Sequence, residues 1–189
     1  MKANILSVVL RSLGCRSTEE TLKDGKKTTE IYAKLFLAQA LGVPIGISVR
    51  FREKTALEET MEGFRTEGTE PAFLFHAPSL GKLLAETAEG KEGRLLQLNE
   101  RYIDILRDIR NLETESKSKM GNDEWYLLLA FTLQKLMEHT DWQEDAVASE
   151  FKREFPAIAG KYRDKEIRRA WHAVRPLWKG RAKEILVEL

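Results

Sequence analysis

Apolar residues recur every three to four positions along most of the chain, the spacing of a helix with one buried face. The first such segment ends at Gly14. A longer helix is predicted to begin at Thr28 or Thr29 and to end at Gly42, with Pro44 just beyond it. Glycine after the last apolar position and proline soon afterwards are ordinary signals for the end of a helix.

The period changes to two between residues 45 and 51, where apolar and polar residues alternate. This alternation predicts a half-buried strand, and Ala72 to Phe75 is the other strand candidate. Two strands alone make a poor independent fold, so helices must supply the core. The sequence therefore predicts a mainly α protein, a multi-helix bundle with at most a minor two-stranded ribbon.

Two later segments define the predicted bundle. A seam with spacings of 3, 4, 3, 4 and 3 indicates a long helix packed inside the bundle or against another chain. Its members are Leu95, Leu98, Tyr102, Ile105, Ile109 and Leu112. The next helix, capped by Asn122, has apolar residues on nearly every side. We expect it to be the central helix, with Leu128 and Leu129 both buried.

The last third of the chain contains further helix signals. Asp141 to Glu144 has the pattern of a capping box, which would begin a helix that ends before Pro156. Another helix is predicted from Asp164, with Pro176 bending or dividing it. We predict two lobes: an N-terminal helical lobe at 1–120 with possible short strands, and a C-terminal helical lobe at 122–189 with a basic face.

Composition narrows the function classes only slightly. The 189 residues are 42% hydrophobic and 32% charged, with a net charge of +1, so no partner is indicated by total charge. The single cysteine, Cys15, cannot form an internal disulfide, and no Cys/His spacing fits zinc. No apolar run approaches the length of about 20 residues needed to span a membrane. We expect a cytoplasmic protein with no metal, no cofactor and no membrane partner.

Charge is nevertheless strongly segregated along the chain. Residues 1–52 carry a net charge of +5, 53–100 carry −5, 101–122 carry +1, 123–150 carry −6 and 151–189 carry +6. Alternating blocks of this size favour either a polyanionic partner or head-to-tail self-association.

The C-terminal block places a basic stripe beside an apolar stripe that contains Trp171 and Trp178. Positive side chains on one helix face suit contacts with phosphates, so this is the predicted nucleic-acid site. The stripe consists of Arg168, His172, Arg175, Lys179 and Lys183, with Lys152, Arg153, Lys161 and Arg163 as extensions. The alternative reading is that the tryptophans belong to the core and the basic side chains form its solvated outer face.

One short segment resembles a known family. Phe155 to Ala159, followed by Arg169 to Trp171, resembles the second and third helices of Myb-like DNA-binding repeats, and Trp142 lies where such a repeat begins. The resemblance implies a helical nucleic-acid binder. Both spacings are several residues shorter than in that family, and Phe155 stands where the family has tryptophan, so membership does not follow.

Catalytic motifs are incomplete. Glu58, Glu59 and Glu62 resemble the first metal-binding motif of all-helical nucleotide pyrophosphohydrolases, but the second motif of that family has no counterpart. Glu100, Asp104 and Asp108 also share a helix face, but interleaved arginines favour an ion-paired surface there.

The sequence therefore predicts a non-enzymatic helical subunit that contacts the phosphate backbone of RNA or DNA within a larger nucleoprotein assembly. Its partners would be nucleic acid and other protein subunits, or further copies of the chain. Two alternatives remain open. One is a self-assembling structural or interaction protein that uses its opposed charged blocks, and the other is a metal-dependent hydrolase with an incomplete carboxylate motif.

Overall fold

Helices pack against one another and build the core, as the sequence predicts. The computed structural model describes residues 2–15, 24–45, 49–53, 73–76, 100–115, 120–139 and 141–187. Its helices are α1 (Lys2–Ser12), α2 (Gly25–Ala40), α3 (Glu100–Glu115), α4 (Asn122–Glu138), α5 (Glu144–Glu154), α6 (Pro156–Ala159) and α7 (Asp164–Val187). In the described part of the chain, no helix is both long and apolar enough to cross a lipid bilayer.

The predicted ribbon is present as two short strands, β1 (Arg50–Glu53) and β2 (Phe73–His76). They pair antiparallel, with Arg50 opposite His76. The Gln39 side chain binds the backbone of Val49, which comes just before β1. Its amide nitrogen donates to the Val49 carbonyl at 3.1 Å, and its amide oxygen accepts from the Val49 N–H at 2.8 Å. Helix α2 therefore fixes where the ribbon begins.

Helix α4 is the central element, as predicted. Ten of its seventeen residues are buried, including every position from Trp125 to Leu133. It packs chiefly against α2 on one side and α7 on another. Two side-chain hydrogen bonds attach it to α3: the Trp125 indole donates to the Leu112 carbonyl and the Tyr126 hydroxyl to the Ile109 carbonyl, both at 2.9 Å.

Two helices end close to a glycine, and an arginine side chain from a distant helix lies beside each of these glycines. Gly42 follows α2 with a φ of +97°, a left-handed conformation that favours glycine. The Arg181 guanidinium lies so close that a β-carbon at position 42 would be 2.7 Å from its Cζ. Gly14, after α1, has a φ of +74°, and a β-carbon there would lie 3.5 Å from Arg110 Nε, an ordinary van der Waals distance. A cation suits the carbonyl end of a helix because that end carries partial negative charge.

Three predicted helix boundaries were wrong. Helix α2 begins at Gly25, because the Asp24 carboxylate accepts from the N–H groups of Lys26 and Lys27. Helix α4 has Gly121 at its cap position, and the N-cap of α5, Gln143, makes no side-chain capping bond.

Helix α7 runs without division through Pro176. In the predicted heptad seam, Ile109 and Leu112 are buried, while Leu95 and Leu98 lie outside the described residues. The division into lobes near residue 120 stays a prediction.

Candidate nucleic-acid interface

The predicted basic stripe lies on α7. The apolar stripe beside it is buried at Ile167, Trp171 and Val174, which turns the basic stripe outward. From 167 to 181 the sequence contains four arginines, one lysine and one histidine, and no aspartate or glutamate. Five basic side chains between 165 and 179 are exposed or mostly exposed, and these are Lys165, Arg169, His172, Arg175 and Lys179.

Helix α5 runs antiparallel to the first half of α7, and ion pairs join them. Lys152 near the end of α5 contacts Asp164 at the start of α7, with 2.5 Å between Nζ and Oδ1. Near the start of α5, Asp145 Oδ1 lies 3.1 Å from Arg168 Nη1, and Glu144 Oε1 lies 3.1 Å from His172 Nε2. The acidic first turn of α5 thus neutralises part of the basic stripe.

Helix α5 lies beside α7 only as far as His172, because the residue that contacts His172, Glu144, is the first residue of α5. Helix α7 continues for about four further turns, and Arg175 and Lys179 lie on this part, which we call the open half. Neither side chain forms an ion pair with any described residue. The Arg175 guanidinium instead lies 5.2 Å from the ring centre of Trp171, a cation–π contact.

The other predicted basic residues divide into paired, unpaired and undescribed ones. Arg153 contacts its neighbour Glu154, with 2.7 Å between Nη2 and Oε1. Arg163 is exposed, and its side chain forms no ion pair within the described ranges. The backbone of Lys183 belongs to α7, but its side chain lies outside the described part of the structure.

Lys161 belongs to a structural cluster at the start of α4. Its Nζ lies 2.7 Å from Glu124 Oε1, and the Tyr162 hydroxyl donates to the other carboxylate oxygen. Burial alone would raise the pKa of Glu124, but hydrogen bonds from Lys161 and Tyr162 lower this pKa overall. Burial and the same carboxylate raise the pKa of Tyr162. The ammonium of Lys161 is thus occupied by an internal partner.

A cavity of about 620 Å³ lies between α3 and the side of α7 that carries Leu177 and Arg181. One wall carries the three aligned carboxylates of α3, which are Glu100, Asp104 and Asp108. Asp104 is paired with Arg107 at 2.7 Å, as expected for an ion-paired helix surface. Arg101 and Arg181 also line the cavity, so its charge is mixed, whereas the opposite face of α7 is basic.

Sequence reasoning missed both additional basic residues and the acidic partners. Lys165 and Arg169 share the exposed face of α7, and a full helical projection would have found them beside the chosen row. From the sequence, Glu144 and Asp145 are recognisable only as acidic residues in the first turn of a helix. Their position beside α7 depends on how two helices pack, which no local pattern encodes.

The enzyme alternative stays a prediction. Glu58, Glu59 and Glu62 lie outside them. Within the ranges that the structure does describe, no group of three or more His, Cys, Asp or Glu residues is arranged to hold a metal ion.

Comparison with known proteins adds no identity to this picture. No protein-family model, no curated protein and no solved structure matches the chain. The resemblance of residues 155–171 to Myb-like repeats therefore has no support from a family match.

Proposed function

We propose that the open half of α7 binds the phosphate backbone of nucleic acid, and that the protein is a non-enzymatic subunit of a larger nucleoprotein assembly. The observation that carries this proposal is that Arg175 and Lys179 project from α7 beyond α5, exposed and without an ion pair to any described residue. A lysine or arginine already paired with a carboxylate must give up that pair to bind phosphate. Arg175 and Lys179 can bind phosphate without breaking an ion pair to any described residue.

The open half of α7 offers only two exposed cations among the described side chains, and this supports a subunit role. Electrostatic affinity for nucleic acid increases with the number of phosphates contacted, and the net charge of +1 adds no long-range attraction. Arg175 and Lys179 are about 6 Å apart along the helix axis, so they reach only a short stretch of backbone. Binding of useful strength then requires phosphate contacts from neighbouring subunits, and the interaction is with backbone rather than base sequence.

Charge reversal tests this proposal directly. We expect Arg175→Glu with Lys179→Glu to weaken binding to a mixed-sequence oligonucleotide at low salt by at least about tenfold. Each reversal replaces an attraction of about 1 kcal/mol at 4 Å in water by an equal repulsion. The control is Lys26→Glu with Lys27→Glu, which makes the same charge change on exposed residues of α2. Fluorescence anisotropy measures binding, and circular dichroism verifies the fold.

The salt dependence supplies a second readout. Neutralising the same two residues to glutamine should reduce the slope of log affinity against log salt by about 1.4 for a single strand, at about 0.7 per phosphate. Equal binding by the α7 variant and the α2 control would overturn the proposal. Loss of self-association on light scattering with unchanged oligonucleotide binding would instead assign the face to a protein interface.

The carboxylates of α5 allow a test in the opposite direction. We expect Glu144→Gln with Asp145→Asn to strengthen binding about three- to tenfold at low salt, because Arg168 and His172 lose their internal partners and two repelling charges disappear. Asp104→Asn with Asp108→Asn is the matched control, since it changes the net charge equally on the cavity side of α7. A gain of the same size in both variants would show that only total charge matters.

A further inference from the structure

Trp178 differs from the other three tryptophans of the chain. Trp125, Trp142 and Trp171 are buried, with relative exposures of 1%, 7% and 4%. Trp178 is only partly buried against the core, although it lies on the open half of α7 with Arg175 three residues before it and Lys179 next to it. Residues three apart on a helix are surface neighbours, so the indole adjoins an open cation.

The neighbouring turns show what Trp178 lacks. Trp171 lies two turns earlier on the same side of α7, and the Trp142 ring packs on it edge to face, with ring centres 5.8 Å apart. The loop that carries Trp142 leads into α5 and lies level with the first half of α7. Within the described ranges, no aromatic ring packs on Trp178.

The indole N–H groups of Trp171 and Trp178 are both unused by the described residues. By contrast, Trp125 donates to the Leu112 carbonyl and Trp142 to Glu150 Oε1, at 2.9 and 2.7 Å. A partly exposed indole with two exposed cations beside it can contact a base face and the phosphates that flank that base.

Resting on the proposed function, we infer that the site takes single-stranded nucleic acid, with a base stacked on Trp178 and its flanking phosphates bound by Arg175 and Lys179. The base would cover the face of an indole on which no described aromatic ring packs. In single strands the base faces are accessible, and aromatic side chains next to positive charge are the usual means of binding them.

A duplex cannot use Trp178 in this way. Its bases are stacked inside the helix, and offering a base face to the indole requires that the stack be opened. Duplex binding would therefore rely on Arg175 and Lys179 alone. The preference for a single strand over a duplex thus depends on Trp178, whereas binding to either depends on the cations.

The experiment compares Trp178→Leu with Trp178→Phe in the full chain. Leucine keeps an apolar side chain against the core but cannot stack, and phenylalanine keeps an aromatic ring. The probes are an oligothymidylate of about 12 nucleotides, within the usual site sizes of about 4 to 16, and a duplex of equal length. Anisotropy gives both affinities, and quenching of tryptophan fluorescence reports stacking.

We expect Trp178→Leu to weaken single-strand binding by about 5- to 150-fold, the usual effect of losing one stacked base, and to leave duplex binding nearly unchanged. Trp178→Phe should retain most of the single-strand affinity. Oligothymidylate should quench wild-type fluorescence and should quench the Trp178→Phe variant much less.

An unchanged ratio of single-strand to duplex affinity in Trp178→Leu would overturn the inference. If Arg175→Glu with Lys179→Glu still weakens binding by at least about tenfold in that case, the proposed function stands and only the stacking is refuted. If that charge reversal has no effect either, the proposed function itself has failed.

Discussion

Replacing either Leu128 or Leu129 by alanine is expected to reduce the free energy of unfolding by about 2 to 5 kcal/mol, the usual cost of emptying a packed site. The two residues point in directions about 100° apart on α4, yet neither has any exposed surface. In an ordinary amphipathic helix, one side chain of such a pair can face water with little effect on stability. Denaturant unfolding of both variants measures the cost.

Met137 provides the matched control on the same helix, since 42% of its surface is exposed. We expect Met137→Ala to change the free energy of unfolding by less than about 0.5 kcal/mol, as for other surface substitutions. A loss below that value for Leu128→Ala or Leu129→Ala would mean that one side of α4 faces solvent. That side would then be an apolar protein interface.

Lys34 is the second site of large expected effect, because its charged end lies inside the protein. The side chain is only 2% exposed, with Nζ 2.5 Å from Glu30 Oε1 and 4.5 Å from the ring centre of Tyr126. The ammonium also donates to the Leu13 carbonyl at 3.4 Å. These contacts join α1, α2 and α4 around one buried charge.

Glu30→Ala is expected to cost about 3 kcal/mol, the lower end of the range for breaking a buried ion pair by removing one partner. The lower end applies because Glu30 is itself 22% exposed and Lys34 keeps its other contacts. Adding Lys34→Met should restore most of the lost stability, because methionine fills a similar volume without a charge. If the double variant were no more stable than Glu30→Ala, the contribution of Glu30 would be packing and not charge compensation.

The fold was predictable where one local pattern had a single structural meaning. Helix α4 is apolar on all sides, and only a central position satisfies that pattern. The strands β1 and β2 were found from alternation and from a short apolar run, with their ends displaced by one to five residues. The start of α2 was missed because Thr28 and Thr29 are good cap residues, yet their hydroxyls bond the carbonyls of Asp24 and Gly25 inside the helix.

The candidate site was predictable only as a list of basic residues on one face of α7. Which of them remain open depends on the packing of α5, since Asp145 and Arg168 are far apart in the sequence and meet only in the fold. The same packing leaves Trp178 partly exposed while Trp171 is covered. The sequence pattern placed Trp171 and Trp178 in the same apolar stripe. Spacing along one helix does not reveal where a neighbouring helix ends, so it could not distinguish the covered tryptophan from the partly exposed one.

The burial of α4 on all sides also bears on how the protein unfolds. A helix without a polar side is stabilised by packing against its neighbours, and α4 packs against both α2 and α7. Detaching either neighbour would expose a broad apolar surface to water, so the loss of one contact makes loss of the other more favourable. We therefore expect α4 to couple the elements before it to those after it, so that they unfold together, whatever the division of the chain into lobes.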